Sequence, residues 1–133
     1  MPAEVTLPDD IDTRAFEGLV GYHARRAALA IIEVFVRDMA VYDLRPVAFS
    51  ILLLVDHNPG ITSAQLCSQL NIQSSNLVGL IKELLQRQLI ERRPHPSDGR
   101  AMGLHLSEAG QSLTRDAART AAESELKATA QLS

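Results

Sequence analysis

Two clusters in this chain carry side chains suited to a polyanion and to the edges of its bases. The first is Ser75, Gly79, Lys82 and Gln86, with Ser74 and Asn76 beside it. If the segment is helical, the spacing i, i+4, i+7, i+11 puts these residues on one face. Serine and asparagine near a helix N-terminus can bond base edges or phosphates, and the helix N–H groups add a phosphate site. Gly79 in mid-helix costs roughly 1 kcal/mol relative to Ala, which is tolerable where another molecule approaches the backbone closely. The second cluster is Arg92-Arg93-Pro94-His95-Pro96-Ser97-Asp98-Gly99-Arg100. Asp98-Gly99 is a strong turn dipeptide, expected at the tip of a hairpin. Arg100 follows at once, and Asp98 is close enough to pair with its guanidinium and aim it. A rigidly held arginine at such a tip suits the narrow, electronegative minor groove of DNA. Arg92 and Arg93 fall on opposite faces of a strand, so one is expected to meet a phosphate while the other braces the hairpin. Each cluster has an ordinary reading as well: a solvated helix face, and a surface ion pair worth ~0–1 kcal/mol. Their succession, helix then hairpin, favours DNA contact.

The elements that must position these residues are legible. Thr62 followed three residues later by Gln65 fits a capping box and opens a short helix with Leu66 and Leu70 facing inward. Asn71-Ile72 breaks the pattern. Ser74 reads as the N-cap of a second helix, in which Leu77, Ile81, Leu84 and Leu85 recur at helical spacing. The period then changes to two. Met102, Leu104 and Leu106 alternate with Gly103 and His105, as in a half-buried strand. Two helices at a short turn, followed by a two-stranded wing, make a winged helix-turn-helix over residues 62–106. Its second helix can enter a DNA major groove.

Residues 1–11 hold two Pro and three acids without a period and read as a flexible N-terminal arm. Phe16, Leu19, Val20, Ala27, Ile31, Val34, Phe35 and Met39 form a broad stripe that predicts one helix from Asp12 to Val41. Two shorter helices broken near Gly18 or Gly21 are the alternative. Thirty residues span roughly 45 Å, more than one small core can cover, so this helix is expected to pack on a partner. With the connection that follows, it makes residues 12–45 a dimerisation segment. Pro46 suits the first turn of the next helix, and Val47 to Val55 is apolar almost all round, hence buried. Residues 46–106 are read as the DNA-binding lobe. Ser107 caps a last, Ala-rich helix over residues 107–133, with Leu113, Ala117, Ala121 and Leu126 as its apolar stripe. The expected fold class is mainly α with a small β-hairpin, a winged helix-turn-helix with long N- and C-terminal dimerisation helices.

At 133 residues a single domain is the default. The low aromatic content, 4%, suits an aliphatic helical core. No apolar run is long enough to span a bilayer and no secretory leader is evident, so a cytoplasmic protein with no membrane partner is expected. One Cys, Cys67, rules out an internal disulfide framework and reads as a small buried thiol. The net charge of −3 divides unevenly: −4 over residues 1–61, +2 over 62–106 and −1 over 107–133. Phosphate affinity follows such local clustering rather than the total. The four His show no metal-ligand spacing with one another or with Cys67, and no nucleophile–base order or phosphate loop stands out. No metal, no cofactor and no catalysis are expected.

The chain resembles the MarR family of winged-helix transcriptional regulators, from LVGYHARRAALAI to LSEAGQSL, most specifically over LIERRPHPSDGRAMGLHLSEAG. The resemblance implies a homodimer on palindromic double-stranded DNA, usually a repressor, released by a small, often aromatic, ligand. It also implies that Asp98 and Arg100 act in the minor groove. A ligand pocket would lie between the dimer helices and the DNA-binding lobe, with Tyr22, His23, Arg26 and Phe49 as possible lining. The chain departs from the family at Gly79, where an Arg is common, and at Gln88, where a Gly is common. It also stops about where a further dimer helix would begin, so either the chain is shortened or the dimer relies on the first and last helices. With only Lys82 and Arg87 basic in the second helix, a module that contacts protein rather than DNA is the alternative.

Overall fold

The apolar run at the middle of the sequence becomes the central helix, around which the other elements close. The structure is a computed structural model. It describes residues 11–12, 14–95 and 97–132, with the side chains of 98–101, 131 and 132 excepted. The arm expected at residues 1–11 lies almost wholly outside the described residues.

A short helical turn, α1 (Arg14–Glu17), precedes α2 (Val20–Met39). The single helix expected from Asp12 to Val41 is therefore interrupted at Gly18, the first of the two alternative break points. Glycine is a poor helix former, and Leu19 is extended at φ −98° and ψ 123°. At its other end α2 tightens into a 3₁₀ turn, Ala40–Tyr42, closed by Asp43 in the left-handed region at φ 52°. Helix α3 (Pro46–His57) starts with Pro46 in its first turn and buries Phe49, Ile51, Leu52 and Val55. It lies in one continuous core with Met39, Leu66, Leu77, Ile81, Leu84, Leu104 and Ala117.

Helix α4 (Ser63–Leu70) has the expected capping box. The Gln65 N–H donates to Thr62 Oγ1 at 3.2 Å and the Thr62 N–H to Gln65 Oε1 at 2.9 Å. Thr62→Ala is expected to cost about 1 kcal/mol, read as a lower urea midpoint with an unchanged slope. Asn71, at φ 52°, turns the chain into α5 (Ser74–Gln86). The N-cap of α5 is Gln73 rather than Ser74, because the Gln73 carbonyl already accepts the Leu77 N–H at 3.1 Å. Ser74 is thus the first helical residue, and its hydroxyl has no capping role.

Strands β1 (Ile90–His95) and β2 (Asp98–Leu106) pair antiparallel from Ile90↔Leu106 to Pro94↔Met102. The register then jumps to His95↔Asp98. Asp98-Gly99 therefore opens β2 instead of forming the tip, and the surplus residues of β2 form a bulge. Leu104 and Leu106 face the core, but Met102 is 45% exposed because the twisted hairpin has left the core by that point. Gly103 is buried under the Gly60–Ile61 backbone, which adds a bridge to Leu104; a Cβ at Gly103 would lie 2.8 Å from the Gly60 carbonyl oxygen.

Helix α6 (Glu108–Leu132) runs back along α2 and α3. Ser107 Oγ accepts the Gly110 N–H at 2.9 Å and donates to the Gln88 carbonyl at 2.6 Å. The inner face is Thr114, Ala117, Ser124 and Ala128. Leu126, expected in that stripe, is 73% exposed and points the other way. Small residues are what the close approach of α2 permits.

Candidate nucleic-acid interface

Burial of Leu77, Ile81 and Leu84 turns the opposite side of α5 to solvent. Ser74, Ser75, Asn76, Gly79 and Lys82 are all exposed there. None of their side chains makes a hydrogen bond or ion pair with another described residue. A Cβ at Gly79 would meet nothing within 4 Å, so packing within the chain does not require that glycine. Val78, between these polar groups, is 63% exposed.

On the hairpin, Arg92 and Arg93 are both exposed. Arg93 pairs with Glu91 at 3.0 Å, both on the outer face of β1. Arg92 has no ion-pair partner among the described residues. The backbone of Asp98 and Arg100 belongs to the first part of β2, beside the bulge, while their side chains lie outside the described residues.

One structural tie escapes sequence reasoning. Arg87, which looks like a second base on α5, turns inward instead. It donates to the Asp43 carbonyl at 2.8 Å and the Tyr42 carbonyl at 2.9 Å. The Tyr42 hydroxyl bonds Thr120 Oγ1 at 2.7 Å and donates to the Asp116 carbonyl at 3.3 Å. The turn after α2 therefore ties the C-terminal end of α5 to α6. No local pattern signals this, since the partners lie more than 40 residues apart.

A second tie joins α2 to α6. Asp38 accepts the Ser124 hydroxyl at 2.7 Å and lies 3.5 Å from Lys127 and 3.6 Å from Arg37. The Ser124 hydrogen bond, aided by the two cations against partial desolvation, holds its carboxyl below the ordinary aspartate value.

Beside this tie, a groove of about 420 Å³ opens between α2, α3 and α6, lined by Ile31, Phe35, Phe49, Leu53, Ala121 and Ser124 among others. Phe49 packs on Phe35 with ring centroids 5.5 Å apart. Tyr22, His23 and Arg26 are not at this groove. They sit on the first turns of α2, where Tyr22 stacks on Phe16 at 5.5 Å, His23 bonds the Glu17 carbonyl and Arg26 lies 5.8 Å from the Tyr22 ring centre. Nine residues of helix, roughly 13 Å, separate Tyr22 from Ile31. Within one chain, the four residues expected around a ligand are thus not brought together. Cys67 is a half-buried free thiol against the core. Among the described residues no helix is long and apolar enough to cross a membrane, and no cluster of His, Cys, Asp and Glu could hold a metal ion.

The MarR family profile matches residues 42–101, from the turn after α2 to the wing. A transcriptional repressor, CouR, bound to a 23-mer DNA duplex, superposes with a TM-score of 0.82 at 31% identity, over 92% of this chain and 87% of that one. CouR bound to p-coumaroyl-CoA gives a TM-score of 0.79 at 28% identity, over 92% and 86%. A putative transcriptional regulatory protein for the hcr operon of Thauera aromatica is 29% identical over 100 residues, 74% of this chain. The chain spans 60% of the length of that relative. A shared profile across the winged helix, together with a likeness over nearly the whole fold, places this chain in the MarR family of winged-helix transcriptional regulators.

Proposed function

We propose that the chain is one protomer of a homodimeric, sequence-specific DNA-binding regulator. It would act by binding rather than catalysis, as a repressor on a palindromic operator, and be released by a small aromatic ligand. The observation that carries this reading is the outward face of α5. Ser74, Ser75, Asn76, Gly79 and Lys82 are exposed together on the second helix of a helix-turn-helix and hold nothing else in place. In this reading two such helices enter successive major grooves, about one helical turn apart. Arg92 meets a phosphate, and Arg100, oriented by Asp98, enters the flanking minor groove. Phosphate contacts set the register while Ser75, Asn76 and Lys82 contribute base readout.

Dimerisation is supported by Leu29, Ile32 and Val36, 54%, 49% and 48% exposed at i, i+3 and i+7 along α2, and by Leu126 on α6. A chain does not leave such a stripe in water without a partner. An aromatic effector is supported by the groove beside Phe35 and Phe49, which falls in the size range of small-molecule sites. The structures of CouR with DNA and with p-coumaroyl-CoA support the same pairing of activities.

The test is selection of bound genomic fragments, followed by affinity measured against salt. Binding should weaken steeply as salt rises. Arg100→Ala should lose roughly tenfold in affinity with unaltered helix content, the scale of one good groove contact. Unchanged affinity would remove Arg100 from the interface. No retained fragment, with salt-insensitive capture of a protein partner, would favour an interaction module instead.

A further inference from the structure

We propose that Val78 is a specificity-determining residue, whose isopropyl group reads the 5-methyl of a thymine in each half-site. The proposal rests on α5 being the recognition helix. Val78 is 63% exposed and, among the described residues, the one exposed large apolar side chain of α5. It follows Ser74 and precedes Lys82 by one turn each, and sits at the edge of the polar face, between Lys82 and the half-buried Leu85. In water this placement gains nothing, because a polar residue would serve a solvated face equally well.

The major groove offers one apolar substituent, the thymine methyl; apart from ring C–H, the other groups on the base edges are hydrogen-bond donors or acceptors. Val78 and Gly79 can neither donate nor accept through their side chains. The middle of α5 therefore has no hydrogen-bonding reader, while Ser74, Ser75 and Asn76 precede it and Lys82 follows it. Gly79, on the solvent side of α5, carries no side chain to hold the helix off, and a Cβ there would meet nothing within 4 Å. The helix can thus approach the bases closely at this point. A β-branched side chain is also stiff about χ1, so Val78 presents its methyls in a set direction at little entropic cost. A single exposed valine is too small a patch to dock a protein. The broad apolar stripe of α2 has a different size and place.

The experiment uses the full chain and a random duplex library of about 30 base pairs, long enough for two half-sites a helical turn apart. The selected duplex is then remade with each thymine singly replaced by deoxyuridine, which removes the methyl and leaves the hydrogen-bonding edge intact. At one thymine per half-site, the natural chain should lose about fourfold in affinity, the equivalent of one buried methyl. Val78→Ala, which removes the contact in both half-sites of the dimer, should lose about sixteenfold on the thymine duplex and be indifferent to uracil at that position. Equal binding to every uracil duplex would overturn the proposal. So would a Val78→Ala variant that still responds to uracil there. The scan with the natural chain does not depend on how the variant folds. A chain that selects a sequence and weakens with salt but ignores uracil would lose only the assignment of Val78. A chain that enriches no sequence and binds independently of salt would lose the DNA reading as well.

Discussion

Gly110→Ala is expected to unfold the chain, or to destabilise it by roughly 3–5 kcal/mol, the upper end of the range for single substitutions. A Cβ at this position would lie 1.9 Å from the Leu89 carbonyl oxygen and 2.9 Å from its carbonyl carbon. These are backbone atoms, not the far end of a flexible side chain. The oxygen is further held by the Ser107 N–H at 3.0 Å. Relief requires α6 to move away from the start of β1, where Ser107 caps α6 and bonds the Gln88 carbonyl. Overpacking alone costs about 1–3 kcal/mol, and the strained cap adds to it. In a thermal scan the variant should melt about 10 °C or more below the natural chain. A melting point within a few degrees would show that the α6–β1 contact yields easily.

Arg87→Ala is expected to cost about 2–3 kcal/mol, because two carbonyls lose a charged donor. Arg87 bonds Tyr42 and Asp43 with both arms of one guanidinium, and the Tyr42 side chain continues to Thr120 and Asp116. Removing it loosens α5 from the junction of α2 and α6. Lysine lacks the planar fork, so Arg87→Lys should recover less than half of the loss. The measurement separates this role from phosphate contact. A tie should give a lower denaturation midpoint with the salt dependence of DNA binding unchanged. A phosphate contact should leave stability alone and reduce the salt slope by about one ion.

Much of the fold was legible because its signals are local. The capping box at Thr62 and Gln65 and the helical spacing of Leu77, Ile81 and Leu84 depend on residues within a few positions of one another. So does the alternation of Leu104 and Leu106, and all of these recur in the structure. The outward face of α5 followed from the same period, since a helix that buries one side exposes the other. Boundaries were less secure. By type Ser74 is the favoured N-cap, yet the cap went to Gln73, whose carbonyl the first turn reached. Gly18 was recognisable as a weak point, but whether the helix bends or breaks there depends on the conformation of Leu19.

By itself, then, the sequence determined the elements, their order and the polar face that the DNA reading rests on, because periodicity and caps act over one or two turns. The tertiary structure alone decided which similar residues share a task. Arg87 looks like Lys82 in sequence, yet it faces carbonyls 44 and 45 residues away while Lys82 faces solvent. Leu126 looks like a core residue, yet Ser124 and Ala128 occupy that side because α2 comes too close for leucine. Phe49 and Tyr22 look like parts of one pocket, yet only Phe49 reaches the groove. Each outcome is set by how closely two distant backbones approach, a quantity that no short-range pattern encodes.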